Sequence, residues 1–229
     1  MSTTIQAQET SLRSPIYRKF EQATFSEVPN AVLPAVISTE DASNARQGGL
    51  LDLSVIARTG FRGQNAQEHL SAQNLPIPEK PNQAELSDNG ELVLRLSNNE
   101  FWVLGSITED QGKRVIELAD SPLPEARCYP LYCQNSHAWF VMSGPHLAQI
   151  MAKVCGVDLR TQMFPVGAIA QTSIARVNAV VVHHTVNGLS TFSILSDSAS
   201  AQYLWESLLD AMDEFQGKAI GIEGLLSND

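Results

Sequence analysis

A strand-like run, a glycine and a short amphipathic stretch occur twice in this chain. Residues 57–63 (Ala-Arg-Thr-Gly-Phe-Arg-Gly) lead into 64–70 (Gln-Asn-Ala-Gln-Glu-His-Leu). Residues 138–144 (Ala-Trp-Phe-Val-Met-Ser-Gly) lead into 145–151 (Pro-His-Leu-Ala-Gln-Ile-Met). Gly63 aligns with Gly144, Phe61 with Met142 and Leu70 with Met151, each pair 81 residues apart. Self-similarity at a fixed offset predicts two copies of one α+β unit in a single chain.

The residues around each copy extend the pattern. Leu92, Leu94 and Leu96 alternate, the period-two mark of a half-buried strand. Asn98-Asn99 turns the chain back into residues 101–104, a hairpin partner. Thr108-x-x-Gln111 reads as a capping box opening a helix to Ala119, and residues 127–133 read as a closing strand. In the second copy Pro145 suits a first helical position, and Leu147, Ile150, Met151 and Val154 share a helical face. Asn187-Gly188 signals a second hairpin. Asp197 or Ser198 caps a long helix with a Leu204, Leu208, Met212, Phe215 stripe, and residues 219–222 suggest a last strand. Each half therefore reads β-α-β-β-α-β, the ferredoxin-like order, and the fold class is α+β. The expected division is an N-terminal arm at 1–49, a first half at 50–134 and a second half at 135–229. Residues 1–30 are polar and read as a loose arm able to drape over a partner.

Composition narrows the partners. A net charge of −10 argues against nucleic acid, because phosphate binding needs a basic patch. With 43% hydrophobic and 17% charged residues the chain can build a core and is not disordered. No apolar run approaches the roughly 20 residues of a membrane span, and the polar start carries no signal peptide, so the expected location is the cytoplasm. Three cysteines, Cys128, Cys133 and Cys155, do not suit a disulfide-stapled fold and read as buried thiols.

No catalytic constellation is visible. His183-His184 on a strand would point to opposite faces and cannot chelate one ion together, so all five histidines read as structural. Ser143-Gly144 at a strand-to-helix turn lacks the glycine of a nucleophile elbow, since Val141 stands two residues before the serine. Gly60-Phe-Arg-Gly63 has the wrong spacing for a dinucleotide fingerprint. Arg58, Arg62, Arg95 and Arg176 lie on or near expected strands, where each could clamp a carboxylate or serve only an edge or a partner chain.

Together with those turns, several ordered motifs carry a resemblance. They are residues 58–63 (Arg-Thr-Gly-Phe-Arg-Gly), 75–78 (Leu-Pro-Ile-Pro), 81–83 (Pro-Asn-Gln) and Leu94-x-Leu-x-x-x-Glu-Phe101-x-x-Leu104. In the second half they are residues 143–145 (Ser-Gly-Pro), 155–159 (Cys-Gly-Val-Asp-Leu), Phe164-Pro-x-Gly-Ala168, Gln171-Thr172, Ala175-Arg176 and 203–205 (Tyr-Leu-Trp). Over residues 50–216 the chain resembles the gamma subunit of heterotetrameric sarcosine oxidase, in the superfamily of the folate-binding glycine-cleavage T-protein.

The resemblance implies a T-protein-like fold of two ferredoxin-like units. It also implies a non-catalytic gamma-type subunit packed against alpha- and beta-type oxidase chains that demethylate an N-methyl amino acid, or the equivalent place in an N-methylglutamate-type dehydrogenase. Self-association is the other partner expectation. Flavin belongs to other subunits in such oxidases, and no cofactor is expected on this chain. A stand-alone folate-binding protein, or a degenerate aminomethyltransferase, is the alternative; tetrahydrofolate would then meet Arg62, Asn82, Gln171 and Arg176. The T-protein has a catalytic Asp that this chain's early strands do not match. Its Gly-Tyr-Thr-Gly-Glu segment corresponds here to residues 185–190 (Thr-Val-Asn-Gly-Leu-Ser), which hold no carboxylate. An enzyme of another class is the remaining reading.

Overall fold

Alternating apolar residues build the strands and glycines set the turns between them. The computed structural model describes residues 7–227. In chain order it begins with β1 (Thr24–Val28), β2 (Ala31–Val36), α1 (Asp41–Gly48), β3 (Gly49–Asp52), β4 (Arg58–Arg62), α2 (Ala66–Ala72) and β5 (Gln83–Leu86). Next come β6 (Leu92–Arg95), β7 (Glu100–Leu104), α3 (Lys113–Ala119), β8 (Tyr129–Leu131), α4 (Cys133–Ser136), β9 (His137–Ser143) and α5 (Leu147–Met151). The rest are β10 (Ile169–Ile174), β11 (Val177–Val186), β12 (Leu189–Asp197), α6 (Ala201–Asp213), β13 (Lys218–Ala219) and α7 (Ile222–Leu226).

The chain divides into two compact units. One holds residues 56–136 with Gly167–Ile169; the other holds the described residues up to Val55, His137–Val166 and the described residues from Ala170. The first of these carries a five-stranded sheet in the order β5-β6-β7-β4-β8. Its strands β4, β6, β7 and β8 reproduce the ferredoxin-like arrangement, with β4 antiparallel to both β7 and β8. Phe61, Leu70, Val93, Phe101, Val103, Val115 and Leu118 form the core beneath α2 and α3.

The other unit repeats this plan with one exchange. Its sheet runs β10-β11-β12-β9-β3-β13. The place that β8 takes beside β4 is taken beside β9 by β3, a strand from before the first copy. The sequence division puts residue 49 in the arm and residues 50–52 at the opening of the first half; in the structure all four pair with β9. The expected last strand is the two-residue β13, parallel to β3 at the sheet edge, followed by α7. Phe140 packs edge-on against Trp205 of α6, with ring centroids 5.1 Å apart.

The repeated glycines show why the two copies share a motif. Gly63 and Gly144 sit at φ 138° and 115°. A Cβ on Gly63 would come within 2.0 Å of the Arg127 carbonyl oxygen, and one on Gly144 within 2.7 Å of the Gln47 carbonyl oxygen. Arg127 precedes β8 and Gln47 precedes β3, so each glycine admits the backbone leading into the strand beside its own.

The N-terminal stretch read as a loose arm folds into a unit from residue 7 onward; the rest of that stretch lies outside the described residues. β1 and β2 form a hairpin, Ile16 and Phe20 are buried, and the Phe20 ring meets Trp205 at 5.5 Å. Asp41 fastens the other end of the chain here. Its carboxylate accepts from the backbone N–H groups of Ile37, Ser38 and Gly221, at 2.8, 3.1 and 2.9 Å.

Two helix starts differ from the sequence reading. α3 opens at Lys113 after Gly112 at φ 87°, and Asp110 rather than Thr108 receives the first free N–H groups, those of Gly112 and Arg114. α5 opens at Leu147, two residues past Pro145. Asn65 stands at the N-cap position of α2, and its side-chain amide donates to the Ala126 carbonyl. Asp197 does accept from Ala199, in the short turn that leads into α6.

Candidate functional site

The four residues considered for a folate pocket occupy exposed positions in two places. In the unit of residues 56–136, Arg62 ends β4 and faces Glu100 across the β4–β7 pair. Its Nε and one terminal nitrogen lie 2.9 and 2.5 Å from a Glu100 oxygen. Asn82 enters β5 at φ 62°, and its backbone bonds Arg95 and Ile169. In the other unit Gln171 lies on β10, and Arg176 follows Ala175 in the left-handed turn to β11. Neither the cavity between α2 and α3 nor the groove along α5 is lined by any of the four. Arg95 is committed to the Pro78 and Glu79 carbonyls, and Arg58 to those of Ile56 and Gln134.

Arg62 and Asn82 thus belong to one unit, and Gln171 and Arg176 to the other. A pterin presents amino and ring N–H groups that need an acceptor. The segment matched to the T-protein's glutamate is the β11–β12 hairpin, where Asn187 and Gly188 adopt φ 47° and 76°. Its Asn187 amide donates to the carbonyls of Leu226 and Ser227, so the turn holds the chain after α7.

Polar groups on β9, β11 and β12 form a chain. Trp139 Nε1 donates to the Ser193 hydroxyl at 2.9 Å, and Ser193 lies 2.8 Å from His184 Nε2. His183 points the other way, to the Phe164 carbonyl at 2.7 Å and the Ser190 hydroxyl at 2.9 Å. The two adjacent imidazoles thus serve opposite faces of the sheet, as the strand period requires. Burial, followed by the neighbouring His183, pushes the His184 pKa down to about 4. Because Trp139 donates to Ser193, the hydroxyl proton is free to point at His184, which fits a neutral ring.

A serine beside a histidine invites a nucleophile reading, and the geometry opposes it. Ser193 is wholly buried. The third member of the chain, Trp139, donates to Ser193 itself, and no carboxylate among the described residues bonds His184 from behind, as an activated serine requires. A base with a pKa near 4 is also poorly matched to neutral pH. Ser143 likewise spends its hydroxyl on the Ala45 carbonyl, at 2.7 Å.

Other buried polar groups also hold backbone. Asp52 accepts from the Ser54 N–H and the Ser14 hydroxyl, and Ser54 in turn accepts from the Trp139 N–H. Burial pushes the Cys133 thiol up to about 11 and raises that of Cys128. Among the described residues no three His, Cys, Asp or Glu side chains gather as a metal site. No helix among them is long and apolar enough to cross a membrane.

The sequence reading missed Asp41, Ser193 and the pair Glu91–Arg114, in which Arg114 Nε lies 2.7 Å from a carboxylate oxygen. Only Asp41 had a local signal, an acidic residue opening a helix; the other contacts are set by strand register and helix packing.

Solved structures share this architecture. A chain of heterotetrameric sarcosine oxidase from Corynebacterium sp. U-96 superposes with a TM-score of 0.66 at 19% identity, covering 90% of this chain and 97% of that one. Glycine cleavage system aminomethyltransferase T from Bartonella henselae superposes with a TM-score of 0.68 at 18% identity, covering 94% of this chain and 62% of that one. No curated protein sequence matches the chain. The T-protein-like resemblance of the ordered motifs and the doubled ferredoxin-like plan are thus met in these structures. Residues 82–227 match the GCVT N-terminal domain, and the chain belongs to that family.

Proposed function

We propose that this chain is a non-catalytic gamma-type subunit of a sarcosine-oxidase-like complex, working in the cytoplasm. It packs against alpha- and beta-type chains that oxidatively demethylate an N-methyl amino acid, and those chains hold the flavin and any folate. The observation that supports this most is the correspondence over 90% of this chain and 97% of a heterotetrameric sarcosine oxidase chain. The Ser193–His184 pair, with its buried serine and depressed histidine, supports the reading further, because this most enzyme-like contact suits packing. Purification of the tagged chain from its native host tests the reading. A flavin absorption band is expected to travel with it, and a colourless preparation of the chain alone would count against it.

A second reading, a folate-binding protein or degenerate aminomethyltransferase, is favoured by the family match over residues 82–227. Calorimetric titration of the isolated chain with tetrahydrofolate separates the two. The subunit reading expects no saturable heat, whereas the second requires it.

A further inference from the structure

A cavity of about 330 Å³ lies between the end of α2 and α3, within the unit of residues 56–136. Its floor is apolar, made by Leu75, Val103, Val115 and Leu118 of that unit's core. Its wall is ionic and includes Glu91, Arg114 and Glu117. Glu91 is only 2% exposed. One of its oxygens receives the Ser87 hydroxyl, and the other faces Arg114 Nε. A buried carboxylate is costly unless it is paired and hydrogen-bonded, so the ion pair fixes Arg114 at the cavity wall.

Arg114 is not used up by this role. Its two terminal nitrogens lie 3.1 and 3.2 Å from the side-chain oxygen of Asn89, in the amide orientation that satisfies both partners. A guanidinium has five N–H donors; the contacts to Asn89 engage two of them, and Nε meets Glu91 as a charge pair only. The side chain remains 46% exposed. Glu117 lies one helical turn further along α3, exposed and without a polar partner among the described residues. The wall therefore offers spare donors and, three residues along the same helix, an uncommitted carboxylate, over an apolar floor. An amine alone would leave the guanidinium donors unmet, and a carboxylic acid alone would face Glu117. A zwitterion with an aliphatic group answers all three features, and the volume falls in the range of small-ligand pockets.

We propose that this cavity binds an aliphatic α-amino acid, with its carboxylate on Arg114, its ammonium on Glu117 and its side chain against Leu75, Val103, Val115 and Leu118. The site stands on this unit's own residues and does not depend on the proposed place in an oxidase complex.

Methyl NMR of the full chain titrated with L-leucine tests it. Saturable shifts are expected at the methyls of Leu75, Val103, Val115 and Leu118. 3-Methylbutylamine and 4-methylpentanoate, which each lack one charge of leucine, are expected to bind at least about tenfold more weakly. Glu117→Gln leaves the Glu91–Arg114 pair intact and is expected to weaken leucine binding roughly tenfold, because it removes the ammonium's charged partner. Arg114→Lys keeps a charge beside Glu91 but loses the planar fork, and is expected to weaken it by a similar factor. The proposal is overturned by absence of saturable shifts at tens of millimolar leucine, by equal binding of either singly charged analogue, or by unchanged affinity in Glu117→Gln.

Discussion

Replacing His184 with glutamine removes a group that the fold holds in its neutral form. Burial, then the adjacent His183, brings the pKa of this imidazole to about 4 from a usual 6.5. In the unfolded chain the ring regains water and protonates near 6.5. Between those two values the unfolded state binds more protons than the native state, so stability falls as pH falls. The contribution is fully present above about pH 6.5 and is lost progressively down to about 4. At pH 5 a shift of this size amounts to about 2 kcal/mol from this one ring. Urea unfolding of the wild type and His184→Gln at pH 7.5 and 5.0 measures it, with stabilities compared at a common denaturant slope. The wild type is expected to lose about 2 kcal/mol more than the variant between the two pH values. His69, also depressed by burial, acts in the same direction and cancels in the comparison. Equal pH slopes in the two proteins would refute the assignment of a neutral, desolvated His184.

Three other outcomes follow from the same contacts. Gly63→Ala places a Cβ 2.0 Å from the Arg127 carbonyl oxygen at a positive φ, and is expected to cost at least about 3 kcal/mol in chemical denaturation; a loss under about 0.5 kcal/mol would contradict the close approach. Asp41→Ala strands three backbone N–H groups that its carboxylate now satisfies, with an expected loss of about 3 kcal/mol, and Asp41→Asn should recover part of it. Cys133, with its thiol near 11, should resist iodoacetamide in the native protein at pH 7.5 and react in guanidinium; peptide mapping that finds rapid native labelling there would place the thiol at the surface.

What the sequence conveyed follows from how local each signal is. Gly63 and Gly144 could be read because each turn needs a backbone shape that only its own residue supplies. The hairpin at Asn187-Gly188 could be read for the same reason. The destination of β3 could not be read: Gly-Leu-Leu-Asp fits a buried strand in either unit, and only tertiary pairing sends it to β9. The first 30 residues look loose because their apolar side chains are sparse, yet Ile16 and Phe20 bury fully enough to anchor the segment. Thr108 misled because Asp110 competes for the same free amides and Gly112 supplies the left-handed turn between them. Arg62 was readable as a strand-end cation, but its pairing with Glu100, 38 residues away, depends on the register of β4 against β7. Glu91 and Arg114 meet only once α3 has packed on the sheet, so no spacing in the sequence announces them.

The subunit assignment is tested most directly by native mass spectrometry of the chain isolated from its host under mild conditions. The account predicts an assembly that contains one copy of this 24.9 kDa chain together with larger, flavin-bearing chains. A free monomer, or an assembly made of this chain alone, would contradict it.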